Sequence, residues 1–572
     1  MPLRNVRFVL PVVLTGALAL AGCAASPPGD AATPSTGAPA VAVRDLSAHT
    51  VLLDAADPAD LALTTSQTVF ARSEVVVLAD ADDVGARDAL AATAVALHAP
   101  ALLAEGAGTG VVEELGRLGA RAAVVVTGDE PAAGDAADGT TEGTTDGADG
   151  SEDAEADPGA AAHRVADDAG VQAIDVSPDV VDGADGAGGS DAGAGPALED
   201  DDLEDLVDRL GSLVGGSGAS PSPAGGTEGA PRLLREVLAL VDPQDGQEAA
   251  IASLRAAGAV TTQVPGGDLA SRHVVQTVDR AQALTVVGVG RSFGDAGTFA
   301  WRVAAAERAA LLPTGSQHLL PARYVAVDAS VWDDPAAAVA RAQAAAEAYA
   351  PDDGADDVSD DVSGDGAEGE AVDGPVVPTL VLPVGTTASG PGDAAVTQED
   401  LDALRPLVAA AQDAGAYVLL DVAAGPGAVV DQVRAAEPLL RAPGVGVALR
   451  PESRVGDGVT TTSHVMTAAE LDEVSDYLAD LVTREGLPPA LLVVHQTRPD
   501  SVPDRTLLRS VPQVETVVLA DLTGGATTGE WVWDQVSTDV PDGVHLGWSG
   551  PAAGVAGPLV PADPAPVLIA AS

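Results

Sequence analysis

The stretch "LLVVHQTRPD" (491–500) runs four apolar residues straight into His495, Gln496 and Arg498. The same kind of junction recurs along the second half of the chain. Asp328 ends "RYVAVD", Asp421 ends "AYVLLD", and Arg450 and Glu452 follow "VGVAL". Thr386 follows "VPTLVLPVG", Asp521 ends "ETVVLAD" and Trp548 ends "GVHLGW". Carboxylates grouped with a His and a Trp suit a sugar-processing cleft. Two carboxyl groups about 5 or about 8 Å apart act as acid and nucleophile or as acid and base, and an indole packs on a sugar face. Asp421, Glu452 and His495 are the catalytic candidates. Asp328, Gln496, Arg498, Asp521 and Trp548 are the candidate ligand contacts. A structural reading stands beside this one. An Asp after an apolar run also caps the following loop or helix, and His495 can simply bond a neighbouring carbonyl. With no HxH or HExxH spacing, no metal site is expected, and no cofactor is expected either.

These junctions need elements to hold them. Eight strand-like runs follow residue 322, at 323–330, 377–385, 416–424, 445–451, 490–497, 515–523, 543–549 and 565–572. Helical spacing fills 335–350, 399–414, 429–441 and 468–486, with shorter pieces near 504–510 and 531–538. Pro335 suits a first helical turn, and Gly415 and Gly486 stand where helix ends favour a left-handed residue. Near-continuous apolar strands alternating with helices predict a (β/α)8 barrel whose chemistry gathers at the carboxyl ends of its strands. An open doubly wound sheet is the alternative.

The first half carries the same alternation over 73–127: "EVVVLA", "ARDALAATAVALH", "PALLAE", "GVVEELGRLG" and "AAVVVTG". This predicts strand, helix, strand, helix, strand in a parallel sheet. Further pieces at 171–177, 231–241, 251–259 and 283–290 suggest a second half broken by acidic inserts. "GVGRSFGDAG" (288–297) has the spacing G-x-G-x-x-x-G, one residue too long for a dinucleotide fingerprint, and reads as a tight turn.

Asp88-Ala89-Leu90-Ala91 and Pro100-Ala101-Leu102-Leu103, followed by "VVEELGRLGARAAVVVTG", resemble the cell wall-binding repeat 2 type. Thr127-Gly128-Asp129-Glu130 stands where that type carries Gly-Gly. The resemblance implies a module that holds wall polymer. "VDASVWDD" (327–334) resembles the opening strand of muramidase barrels, whose middle strand carries Asp-x-Glu where this chain has Arg450-Pro451-Glu452. "RYVA", "DALRPLVAAAQDAGAYVLLD", "LADLVTREGLP", "LLVVHQTR" and "VPDGVHLGW" make 313–572 similar to uncharacterised actinobacterial surface proteins that join such a repeat to a barrel.

The chain has 572 residues, 2% aromatics and a net charge of −58, with every basic residue an Arg. Such a charge excludes nucleic acid as a partner and repels anionic lipid. At the start, Arg4 and Arg7 precede an apolar run and Leu20-Ala21-Gly22-Cys23, the pattern of a secretory leader. It resembles a bacterial lipobox, which implies a diacylglycerol on Cys23, the sole cysteine, and a place on the outer face of the cytoplasmic membrane. The expected layout is a lipoprotein signal peptide over 1–22 and a flexible tether over 23–44. A repeat-like α/β domain over 45–312 follows, with disordered inserts at 129–160 and 182–230. The barrel covers 313–572, with an insert at 352–374. The expected function is binding of an envelope polysaccharide or peptidoglycan; the alternative is a hydrolase of a wall glycan.

Overall fold

The structure is a computed structural model that describes residues 40–106, 108–128, 159–176, 180–181, 197–198, scattered positions in 203–213, 234–350, 374–384, 396, 398–422, 427–453, 465–521, 532–550 and 564–571. The leader, Cys23, Thr386 and most of the three acidic inserts lie outside the described residues.

The chain is α/β throughout. In its first half, β1 (Thr50–Leu53), β2 (Val75–Asp80), β3 (Ala101–Ala104), β4 (Ala122–Val126), β5 (Gln172–Val176), β6 (Val237–Val241), β7 (Val260–Gln263) and β8 (Thr285–Val289) build two four-stranded sheets. Their orders are β3-β2-β4-β5 and β7-β6-β8-β1, with every pairing parallel. The two sheets repeat one plan: a first strand flanked by the second and third, and a fourth beside the third. In the first sheet the fourth strand follows in sequence. In the second, β1 from the start of the chain takes that place. Of the scattered pieces of the first half, 231–241 and 283–290 supply strands of the second sheet, 251–259 lies largely in a helix, and 171–177 is instead the fourth strand of the first sheet.

Helix Glu248–Ala256 lies between the sheets. Ala250 and Leu254 join a core with Val76, Leu78, Ala239 and Val287, while Ala249 and Ala252 join one with Val75, Val77 and Val124. Small residues on both faces permit this double contact. Ser253 also closes the edge of β3. Its hydroxyl accepts from the Ala101 N–H at 2.9 Å and donates to the Ala101 carbonyl at 3.2 Å, which blunts an edge that would otherwise pair with another chain. One expectation needs correction. Within the acidic stretch 182–230, Leu206 and Leu210 are buried against the first sheet's core. Leu203, Leu206, Leu210 and Leu213 recur at helical spacing, so this part of the insert packs rather than being wholly solvated.

β1 is held by more than its ladder. Just before it, His49 Nδ1 meets the Leu284 carbonyl at 3.0 Å and Nε2 meets Glu307 at 2.8 Å. Both partners are acceptors, so both contacts are hydrogen bonds only when the ring is protonated. The Leu284 carbonyl first, and Glu307 second, hold the His49 pKa above its ordinary value. A raised folded-state pKa adds stability that is full below about 6.5 and is lost as pH rises through the folded value. Amide-exchange protection of β1, corrected for intrinsic rates, should therefore fall as pH rises above about 6.5. In His49→Ala that dependence should vanish; equal slopes in both proteins would refute the assignment.

The second half closes on itself. β9 (Arg323–Asp328), β10 (Val376–Val384), β11 (Tyr417–Val422), β12 (Val445–Leu449), β13 (Ala490–Gln496), β14 (Val514–Asp521), β15 (Val544–Gly550) and β16 (Leu568–Ala571) form a closed barrel in sequence order. β16 pairs with β9 in parallel, Leu568 opposite Tyr324. Following the register from Tyr324 once round the ring returns to β9 eight residues from the start, the stagger of (β/α)8 barrels. The open-sheet alternative falls away. Helices Pro335–Glu347, Gln398–Asp413 and Ala468–Glu485 lie near the expected positions. Gly415 (φ 67°) and Gly486 (φ 55°) take the left-handed conformation. Near 504–510 there is only a short 3-10 turn, Arg505–Leu507.

Inside the barrel, Tyr324, Ala326, Val381, Tyr417, Leu419, Ala448, Leu491, Val493, Val517 and Leu519 form one core, closed from below by Leu312, Leu319 and Ala322. The alternate residues, among them Leu382, Leu420, Val447, Leu492, Val494, Val518 and Leu546, pack outward on the helices.

Candidate functional site

Strand alternation assigns each candidate to a face. Residues two apart share a side, so Tyr417 and Leu419 in the inner core put Asp421 on the lumen side. Ala448 does the same for Arg450, Leu491 and Val493 for His495, and Tyr324 and Ala326 for Asp328. These four residues stand at the carboxyl mouth. The apolar core ends one step below them, at Val381, Leu419, Ala448, Val493 and Leu519.

Arg450 and Asp421 belong to neighbouring strands, and Arg450 Nε donates to Asp421 Oδ2 at 2.8 Å. Both side chains keep some exposure, 31% for Arg450 and 16% for Asp421. Pairing across adjacent parallel strands, with Asp421 opposite Ala448, is what brings the guanidinium over the carboxylate. His495 is 6% exposed. Asp328 is exposed, and its carbonyl accepts from Arg341 at 3.3 Å. Glu452 follows β12 in the 3-10 turn Pro451–Ser453 and is partly buried. Asp521 is the last residue of β14.

Gln496, Arg498 and Trp548 lie elsewhere. Gln496 shares the outward side with Leu492 and Val494. Its Oε1 accepts from Arg505 Nη1 at 3.0 Å, and Arg505 Nη2 donates to the carbonyls of Gln535 at 3.1 Å and Thr538 at 2.8 Å. Gln496 therefore orients an Arg that ties the turn after β13 to the end of helix 532–536. Trp548 packs against the outer core and meets Trp533 edge-on at 5.3 Å between ring centroids. Arg498 is exposed and pairs with Asp500 at 3.1 Å. Among the described residues no group of three His, Cys, Asp or Glu could hold a metal ion, and no helix is long and apolar enough to cross a membrane.

Sequence reasoning passed over one residue. Trp332 lies in the loop that leaves β9 at the mouth, and it is 91% exposed. The signal was present in "DASVWDDP": an indole followed directly by two carboxylates and a proline, outside any strand-like run.

No protein-family profile matches the chain, and no curated protein matches it. Several solved structures show a likeness. A GH5 xyloglucan-specific endo-beta-1,4-glucanase from a metagenomic library, in complex with cellotriose, is 12% identical at a TM-score of 0.21, over 31% of this chain and 65% of that one. Cwp6 from Clostridium difficile is 12% identical at a TM-score of 0.28, over 78% of this chain and 63% of that one. A GH5-4 broad specificity endoglucanase from Clostridum cellulovorans is 11% identical at a TM-score of 0.20, over 30% and 63%. The matches span less than two thirds of each of these chains, and the likeness is one of coarse fold.

Proposed function

We propose that the chain is an envelope-facing lipoprotein, anchored through Cys23, whose barrel mouth binds a cell-envelope glycan without cleaving it. The supporting observation is the Asp421–Arg450 pair on the lumen side of the mouth. A carboxylate offers only acceptors and a guanidinium only donors in a rigid fork. Side by side, they match the adjacent hydroxyls of a sugar ring, each of which gives and takes a hydrogen bond. Asp421 engages a cation, and Glu452 stands beyond β12 in a turn of its own. This arrangement favours holding a sugar over the paired-carboxylate chemistry that hydrolysis needs.

The test is incubation of residues 40–572 with purified wall material, scoring retention on the pellet against soluble sugar. Retention without release is expected. A charge-assisted hydrogen bond contributes about 1.5–3 kcal/mol, so Arg450→Ala and Asp421→Asn should each weaken retention at least about tenfold. Sugar release by the wild type, lost in Glu452→Gln, would replace binding with hydrolysis. Neither retention nor release would leave a scaffold and overturn the proposal.

A further inference from the structure

We infer that Trp332 is the sugar-stacking platform of the barrel mouth, and that its ligand is an uncharged or amino-bearing pyranose polymer rather than an acidic one. The inference rests on the glycan-binding reading above and names the ligand class for it.

The first observation is exposure. In a chain with 2% aromatics, Trp332 is the one exposed aromatic among the described residues. The remaining described Trp side chains, Trp301, Trp533 and Trp548, are buried or partly buried. Leaving an indole in water forgoes the burial that aromatic side chains usually gain.

The second is rigidity. The Ser330 N–H donates to Asp333 Oδ2 at 2.8 Å, and the Asp333 N–H donates back to the Ser330 carbonyl at 3.0 Å. Arg341 Nη2 reaches Asp333 Oδ2 at 3.1 Å and the Asp328 carbonyl at 3.3 Å. Asp334 caps helix Pro335–Glu347 through the Ala337 N–H at 3.0 Å, and the Ala329 N–H donates to the Val381 carbonyl at 2.9 Å. The backbone on both sides of Trp332 is thus fastened while its side chain is held out. A platform ordered before binding spares the ligand the entropy of ordering it.

The third is charge. Asp328, Asp333 and Asp334 flank Trp332 along the loop, and the cation beside them, Arg341, is bound to Asp333. The apolar C–H face of a pyranose fits the ring, and the carboxylates accept from its hydroxyls. An ammonium gains twice, from the carboxylates and from the indole face. Phosphate or uronate groups would be repelled, as would an anionic lipid surface.

The experiment uses the whole chain with chitin and chitosan as uncharged and amino-bearing probes and polygalacturonate as the acidic one. Phosphatidylglycerol vesicles test a membrane role. The expected result is binding to chitin or chitosan, at least fivefold weaker in Trp332→Ala and largely kept in Trp332→Phe. Tryptophan emission should shift on binding in the wild type and not in Trp332→Ala. Unfolding temperature should be the same in all three proteins, because the side chain is exposed. Full affinity in Trp332→Ala, with wall retention still dependent on Arg450, would overturn this inference alone. No glycan binding by the wild type would overturn the parent reading as well. Tighter binding to polygalacturonate would overturn the ligand class. Vesicle binding, or a dimer, lost in Trp332→Ala would assign the indole to a membrane or to a second copy instead.

Discussion

Trp301→Ala should uncouple the two halves of the molecule, so that one cooperative melting transition becomes two. Trp301 belongs to helix Ala296–Glu307 of the first half, yet it is 2% exposed because it is set against the barrel. It forms a separate small core with Val482, Leu487 and Ala490, all from the second half. Its Nε1–H donates to the Leu487 carbonyl at 2.9 Å. Beside it, the Arg302 guanidinium lies 4.2 Å from the indole centroid. Burial holds the Arg302 pKa below its ordinary value, while Asp268 on one side and Glu515 on the other favour its charge. A buried Trp cut to Ala costs about 3–5 kcal/mol. Here that loss falls on the contact between halves and leaves each interior core intact. Calorimetry with limited proteolysis near 309–322 would read it. A single transition at the wild-type temperature would show that the halves are joined by something else.

Gly446→Val should abolish the barrel. Gly446 is on β12, and a Cβ there would lie 2.5 Å from the Leu491 carbonyl oxygen and 3.0 Å from the Tyr417 hydroxyl. Neither neighbour can retreat. The carbonyl belongs to β13, and the hydroxyl accepts from the Leu491 N–H at 3.0 Å, standing in for a ladder bond between strands. Tyr417 is fully buried and meets Tyr324 edge-on at 5.3 Å. A glycine in a strand interior is used for such close approach, and a branched side chain there combines overpacking with a broken buried hydrogen bond. More than about 4 kcal/mol should be lost, read as collapse of soluble yield or of the denaturant midpoint. Tyr417→Phe separates the two contributions. It keeps the ring and strands the Leu491 N–H, at a cost of about 1–3 kcal/mol. A folded Gly446→Val protein near wild-type stability would mean that β12 and β13 can part at this point without consequence.

The eight barrel strands were legible because a parallel sheet covered on both faces is apolar at nearly every position. The same property hid the phase. With Leu491, Leu492, Val493 and Val494 all buried, nothing in the sequence tells which of His495 and Gln496 faces the lumen. A one-residue change of side moved Gln496 and Trp548 into the helical layer. Closure was legible in the count of eight such strands, but the pair that seals it, Leu568 opposite Tyr324 across the whole domain, was not. In the first half the alternation revealed the first sheet. The second escaped as a unit because its fourth strand, "TVLL", lies far from the others in sequence. Trp332 escaped for the opposite reason: it belongs to no periodic pattern.

That displaced strand bears on how the molecule is made. β1 is made before every other strand of its sheet, yet Thr50 aligns with Val286. The first sheet can be completed once residue 176 has emerged, whereas the second must wait until β8 follows. Until then β1 has no partner in its own sheet, and closing so long a loop is slow. β1 is therefore fastened into its sheet late, after the strands it joins, even though Val41–Val43 just before it can pair early with Phe70–Ser73.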